Sequence, residues 1–228
     1  MKQKKWSNKN HHADSSWRMF KIMAEFADGF DRMEQFGPCI SIFGSARTKP
    51  DNPYYKLTEK IAEKLAKEGY GVITGGGPGV MEAGNKGAKK GKGKSVGLHI
   101  ILPHEEGANQ YVDHNKIFMF RYFFARKVMF IKYAQAFVYI PGGFGTMDEL
   151  FEVLTLVQTK KIQPVPIVLI GKSYWSGLLD WIKTTMLEKE HNINPADLNL
   201  FHVTDDPEEV VKIIKSHYKK ADLKPNFE

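Results

Sequence analysis

Ala136-Phe137-Val138-Tyr139-Ile140-Pro141-Gly142-Gly143-Phe144-Gly145-Thr146-Met147-Asp148-Glu149 is the stretch on which the reading of this chain turns. Its first five residues form an unbroken apolar run, which predicts a strand buried on both faces. From Thr146 to Lys160 the pattern becomes helical. The three glycines between them let the backbone turn sharply and leave its N–H groups uncovered. A helix N-terminus adds partial positive charge at the same place, so the turn suits a phosphate. A plainer reading competes with this one. Thr146 and Glu149 have the T-x-x-E spacing of a capping box, in which Glu149 bonds back to the Thr146 amide and meets no ligand. Spacing alone leaves both open.

Outward from this stretch, short apolar runs alternate with helical patterns. Strands are predicted at Cys39–Phe43, Tyr70–Thr74, Ser95–Ile101, Ile117–Phe120, Val165–Ile170 and Phe201–Val203. Helices are predicted at Pro53–Glu68, Pro78–Lys90, Arg121–Tyr133, Trp175–Glu188 and Pro207–Tyr218. Asn52 and Pro53 are a cap and a first-turn proline. This alternation predicts an α/β fold: a Rossmann-like, doubly wound parallel sheet with helices on both faces. An extra N-terminal helix precedes it at about 16–35, capped by Asp14 or Ser15, with Met19, Met23, Phe26, Phe30 and Met33 on one face. The expected organisation is a disordered tail at 1–13, one domain at 14–219 and a tail at 220–228. Leu102–Asn115 is long and polar for a connection, which makes it a candidate active-site loop.

Composition bounds the function. A chain of 228 residues buries a good core as one domain. The longest apolar runs are far too short for a bilayer, and no apolar segment follows the basic start as a secretory signal would require. The single cysteine, Cys39, has no partner for an internal disulfide and fits a cytoplasmic location. The net charge of +7 sits largely at the two ends and in Lys86–Lys94. No aromatic residue interleaves that run, so nucleic acid is an unlikely partner and attraction for small anions is what the charge implies. The eight histidines are scattered and no H-E-x-x-H or C-x-x-C occurs, so no metal is expected.

Three glycine-rich turns need sorting. The dinucleotide pattern G-x-G-x-x-G fails at Gly77-Pro78-Gly79, where Glu82 stands in place of the third glycine, and at Gly143-Phe144-Gly145, where Asp148 does. The pattern G-x-x-x-x-G-K-[ST] fails at Gly93-Lys94-Ser95 and at Gly171-Lys172-Ser173, where Ala88 and Pro166 replace the first glycine. Two phosphate-sized turns remain: Gly75, Gly76, Gly77 and Gly79 open one helix, and Gly142, Gly143, Gly145 and Thr146 open the other. Tight strand-to-helix packing is the competing role for the first. Asp148 and Glu149 would repel a phosphate at the second unless cations intervene or their side chains point elsewhere. Arg126 and Lys127 on the preceding helix are the available cations, on a segment apolar enough to be largely buried.

Pro141–Glu149 resembles the PGGxGTxxE signature of the Lonely Guy (LOG) family, phosphoribohydrolases of nucleoside 5′-monophosphates often mislabelled lysine decarboxylases. Ser41–Arg47, Gly75–Glu82 and Arg126–Met129 match further motifs in the family's order, over about 40–183. The resemblance implies hydrolysis of the N-glycosidic bond of AMP or an N6-modified AMP, without a cofactor, by a homodimer or an assembly of dimers. It implies Glu149 and Arg126 as the catalytic pair. Gly142, Gly143, Gly145 and Thr146 would hold the 5′-phosphate, with Lys127, Thr155, Ser45, Gly76, Gly77, Gly79 and, on the polar loop, Glu106 as further substrate contacts. A carboxylate near the ribose stabilises the oxocarbenium-like C1′ and helps to activate water, which is the role expected of Glu149. Arg126 either orients Glu149 or neutralises the phosphate. Decarboxylation would need an electron sink such as pyridoxal phosphate on a particular lysine, and none stands out. A non-catalytic nucleotide- or cofactor-binding protein on the same fold is the alternative.

Overall fold

A computed structural model describes residues 11–102, 107–219 and 221–227. Cys39–Phe43 (β1) alternates its side chains between two packed faces, as a period of two requires. Ile40 and Ile42 enter one apolar cluster, with Ile61 and Leu65 of Pro53–Lys67 (α2), Val80 of Val80–Lys90 (α3) and Val210 and Ile214 of Pro207–Tyr218 (α7). Cys39 and Phe43 face the opposite cluster, with Met129 and Phe130 of Phe123–Lys132 (α4), Leu150 and Val153 of Phe144–Gln158 (α5) and Trp175 of Lys172–Trp181 (α6). Between them Ser41, also on the second face, donates its hydroxyl to the Phe130 carbonyl. Strands wrapped on both sides must be apolar throughout, which is why these segments read as continuous runs.

The remaining strands are Gly71–Thr74 (β2), Ser95–Ile100 (β3), Ile117–Phe120 (β4), Ala134–Tyr139 (β5), Ile167–Ile170 (β6) and His202–Thr204 (β7). All pairs are parallel and the order is β4-β3-β2-β1-β5-β6-β7. The chain runs outward from β1 in one direction and then returns to place β5 on its other side. The order therefore reverses between β1 and β5, and the loops leaving their carboxyl ends diverge to opposite faces. That opens a crevice at the switch point of a doubly wound sheet.

Local signals account for most helix boundaries. Asn52 Oδ1 accepts from the Tyr54 N–H at 2.8 Å with Pro53 behind it, and Asp206 caps α7 in the same way with Pro207 in its first turn. Each such cap contributes about 1 kcal/mol. At α3 the cap is Gly79, with φ of 69°, and a Cβ there would lie 2.4 Å from the Ser45 carbonyl oxygen, so a side chain has neither the conformation nor the room.

Four readings are corrected. Helix α1 spans His11–Met33, so Asp14 and Ser15 lie within the helix and not at its start, and Glu34–Phe36 tightens into a 3-10 turn. Of the disordered tail expected at 1–13, residues 11–13 belong to α1 and residues 1–10 lie outside the described residues. The strand preceding the decisive turn is β5, Ala134–Tyr139, two residues earlier at its start than the apolar run suggested. The helix predicted over Trp175–Glu188 is α6 followed by a π-helical segment, Ile182–Lys189. After α7 the chain does not simply trail away: Asn226 donates to the carbonyls of Ile131 and Ala134, and Gln135 donates to that of Lys224. Among the described residues no helix is long and apolar enough to cross a membrane.

Candidate functional site

Three loops meet at the carboxyl ends of β1, β2 and β5. The Ser45 N–H donates to the Pro141 carbonyl at 3.1 Å and the Val80 N–H to the Ser45 carbonyl at 3.0 Å, which ties the loops together. They line a cleft of about 750 Å³ at the switch point, a size suited to a small ligand.

The two glycine turns are used differently. In the first, the Gly76 N–H donates to Thr74 Oγ1. Asn109 Nδ2 lies 2.9 Å from the carbonyl oxygens of both Gly76 and Gly77, and from Oδ1 of buried Asn85. The Met81 thioether fills the space beside Gly75 and Gly77. These contacts are those of a packed strand-to-helix connection. In the second turn it is the carbonyls that are engaged. Gly143 accepts from the N–H groups of Thr146 and Met147, and Gly142 accepts from the Tyr174 hydroxyl at 2.5 Å. With Gly143 taking the N–H groups of Thr146 and Met147, the first two helical residues, Phe144 and Gly145, have no preceding turn to receive theirs, and both residues line the cleft.

The helix start settles the competing interpretation of Glu149. The N-cap of α5 is Gly143, with no side-chain cap, so Thr146 is the third helical residue and Glu149 the sixth. A capping box needs the threonine outside the helix, so that reading is wrong. Thr146 instead packs its hydroxyl end against the Gly142 Cα, where any Cβ would collide with it. Glu149 lies 5 % exposed at the wall of the cleft, and one of its carboxylate oxygens is buried with no hydrogen-bond partner. Burial pushes its pKa up to about 7, against the lowering pull of Lys127 and Arg126.

Arg126 lines the same cleft, its guanidinium 5.1 Å from the Phe123 ring centre and 5.7 Å from that of Phe130. Lys127 does not reach the cleft. Its ammonium sits 2.8 Å from Asp148 and 3.0 Å from Glu152. Asp148 turns outward to Lys127 and does not line the cleft.

Of the other expected contacts, Ser45, Gly77, Gly142, Gly143, Gly145 and Thr146 line the cleft with Glu149 and Arg126. Gly76 and Gly79 lie behind its wall. Thr155 is exposed, six residues beyond Glu149 on α5, where its hydroxyl bonds back to the Phe151 carbonyl. Glu106 lies outside the described residues. Among the cleft residues to which sequence reasoning gave no role are Met81, Phe144 and Tyr174. Phe144 is 96 % exposed, and the signal was an aromatic among glycines with nothing to pack on. Tyr174 follows Gly171-Lys172-Ser173, a turn weighed against a nucleotide pattern and set aside when that pattern failed.

Fold and cleft together define a Rossmann-like α/β protein whose glycine-lined site lies at the switch point. The model of a family described as "Possible lysine decarboxylase" matches residues 81–214, more than half of the chain, and the chain belongs to that family, the LOG family its motifs resemble. An uncharacterized protein of Archaeoglobus fulgidus is 31 % identical over 58 % of this chain and 83 % of its own length. The cytokinin riboside 5′-monophosphate phosphoribohydrolase LOG1 of Arabidopsis thaliana is 30 % identical over 45 % of this chain, and the match spans about half (49 %) of that relative. The molybdenum cofactor carrier protein of Chlamydomonas reinhardtii superposes with a TM-score of 0.59 at 23 % identity, covering 81 % of this chain and 99 % of that one, which speaks for the fold alone.

Proposed function

We propose that the protein hydrolyses the N-glycosidic bond of a purine nucleoside 5′-monophosphate, AMP or an N6-modified AMP, to free base and ribose 5-phosphate. The observation that carries this reading is Glu149: a carboxylate buried beside the cleft, one oxygen unpaired, its pKa raised to about 7. Such a group costs stability, and a passive phosphate cup has no use for it.

The 5′-phosphate sits on the N–H groups of the Gly142–Gly145 turn with the Thr146 hydroxyl beside them. Holding the phosphate fixes the ribose so that C1′ faces Glu149. As the base departs, positive charge grows at C1′ and the ionised carboxylate stabilises it; Glu149 also takes a proton from the attacking water. Water supplies the new hydroxyl at C1′, and the proton released goes to the departing base. Arg126 contributes positive charge between phosphate and carboxylate. Lys127, bound to Asp148 and Glu152, acts through Glu149 rather than on the ligand. The apolar residues Trp17, Met19, Phe20 and Met23, exposed along α1, suit a second copy of the chain and support the dimer.

The test is chromatographic: purified protein, AMP and adenosine in parallel, free adenine measured, with Glu149→Gln alongside. AMP should be cleaved at least ~100-fold more efficiently than adenosine, a difference of ~3 kcal/mol. Glu149→Gln should lose ~100-fold in turnover while still binding AMP. Equal cleavage of AMP and adenosine would remove the phosphate from the reading. AMP bound but never cleaved would make the protein a carrier.

A further inference from the structure

We propose that Tyr174 is a positioning residue for the phosphate-binding turn: its hydroxyl holds the Gly142 carbonyl and thereby aims the Gly143 N–H at the anion. This rests on the assignment of the phosphate to Gly142–Gly145.

The argument begins with the geometry of one peptide. There is no cis peptide bond among the described residues, so the Gly142 carbonyl and the Gly143 N–H belong to one trans unit and point in opposite directions. Whatever holds the carbonyl on one side presents the N–H on the other. Tyr174 is the group that holds it, with Oη 2.5 Å from the Gly142 oxygen. Glycine on both sides of this unit leaves rotation of the peptide sterically cheap. Rotated, the unit would present a carbonyl oxygen to the phosphate, and two negative ends would meet where a donor is needed. A free glycine turn therefore spends part of its time in an orientation that repels its ligand. The tyrosine hydroxyl removes that part.

Tyr174 is itself fixed from several directions, as a positioning group must be. Its ring stands edge-on to that of Trp175 at 4.9 Å and 88°. Trp175 is fully buried and donates its indole N–H to the Ile170 carbonyl. The start of α6 is held by Asp205, whose carboxylate accepts from the N–H groups of Gly171 and Lys172. Gly171, at φ of 101°, lies so close to Pro141 that a Cβ would come within 3.0 Å of the proline ring. Helix α6 is thus pressed against the turn at Pro141, and its first turn delivers the hydroxyl to the next carbonyl. On the cleft side, the Thr146 hydroxyl end packs against the Gly142 Cα. The peptide is gripped by Thr146 on one flank and Tyr174 on the other.

Tyr174→Phe deletes the hydroxyl and keeps the ring. A net hydrogen bond of this kind corresponds to a change of about five- to ten-fold in an equilibrium. Binding of ribose 5-phosphate, measured by titration calorimetry, should weaken by that factor in Tyr174→Phe. Binding of adenosine, which has no phosphate, should stay the same, and so should the thermal midpoint of unfolding within a few degrees. The ratio of phosphorylated to unphosphorylated affinity is the readout that a packing role alone would not move. Equal loss for both ligands, or none for either, overturns the proposal and leaves the phosphate assignment standing. Wild-type protein that fails to bind ribose 5-phosphate or inorganic phosphate overturns both.

Discussion

Replacing Glu149 by glutamine tests the buried carboxylate without any appeal to turnover. An acid whose folded pKa lies above its unfolded value holds its proton more tightly in the folded state. Folding stability then falls as pH rises through the interval between the two values. For Glu149 that interval runs from 4.5 to about 7. Below it the carboxyl is neutral folded and unfolded, and costs nothing. Above it, folding must bury a charge, which at about 1.4 kcal/mol per pKa unit amounts to roughly 3 kcal/mol. Glutamine is neutral at every pH. Its amide adds an N–H donor whose cost is the same throughout, so the comparison across pH isolates the charge. Ligand-free wild type and Glu149→Gln should be unfolded by heat and by urea at about pH 4.5 and about pH 8.5. Between the two, the variant should gain roughly 3 kcal/mol relative to wild type, or on the order of 6–12 °C in midpoint for a domain of this size. Parallel pH profiles for the two proteins would refute the reasoning, because they would mean that the carboxylate is hydrated when folded.

Two further substitutions separate the cations. Arg126→Lys keeps the charge but loses the planar fork that stacks near Phe123 and Phe130, and AMP hydrolysis should fall at least ~10-fold; wild-type turnover would mean that charge alone suffices. Lys127→Met should shift the pH dependence. Activity needs the ionised carboxylate, so kcat/KM rises with pH through about 7; Lys127 holds that pKa down, and its loss should move the limb to higher pH. An unmoved limb would show that Glu149 is not the titrating group.

The parallel sheet was legible because burial on both faces leaves an unambiguous trace. Ile40, Ile42, Val138 and Val168 serve one cluster, Phe43, Phe137 and Leu169 the other, and the alternation vanishes into continuous apolar runs. The cap at Asn52 was legible because it acts within two residues; the equivalent cap at Asp206 was not read from the sequence. The cap at Thr146 was misread for an instructive reason. Its spacing satisfied the rule, but the helix is capped three residues earlier by a bare glycine, Gly143, and local spacing cannot report where a helix starts when the turn is held from elsewhere. Lys127 failed differently. From sequence it was a cation near the site, and only the packing of α4 against α5 shows that Asp148 and Glu152 claim it. Tyr174 was invisible for the same reason, since its partner lies 32 residues away in sequence.

The sheet order bears on how this chain acquires its site. β1 and β5, the strands whose ends diverge to form the cleft, are separated by about 95 residues of sequence, and β2, β3 and β4 lie between them. Their pairing closes one of the longest loops in the molecule, and contacts of that range are slow to form. During synthesis β1, β2 and β3 precede β5 and can pair first, but they do so with an open flank at β1, an apolar strand edge awaiting its neighbour. Until β5 docks, that open edge is a site for pairing with another strand. Once β5 docks, the cleft occupies the centre of the sheet, so fraying at the outer strands β4 and β7 leaves it intact.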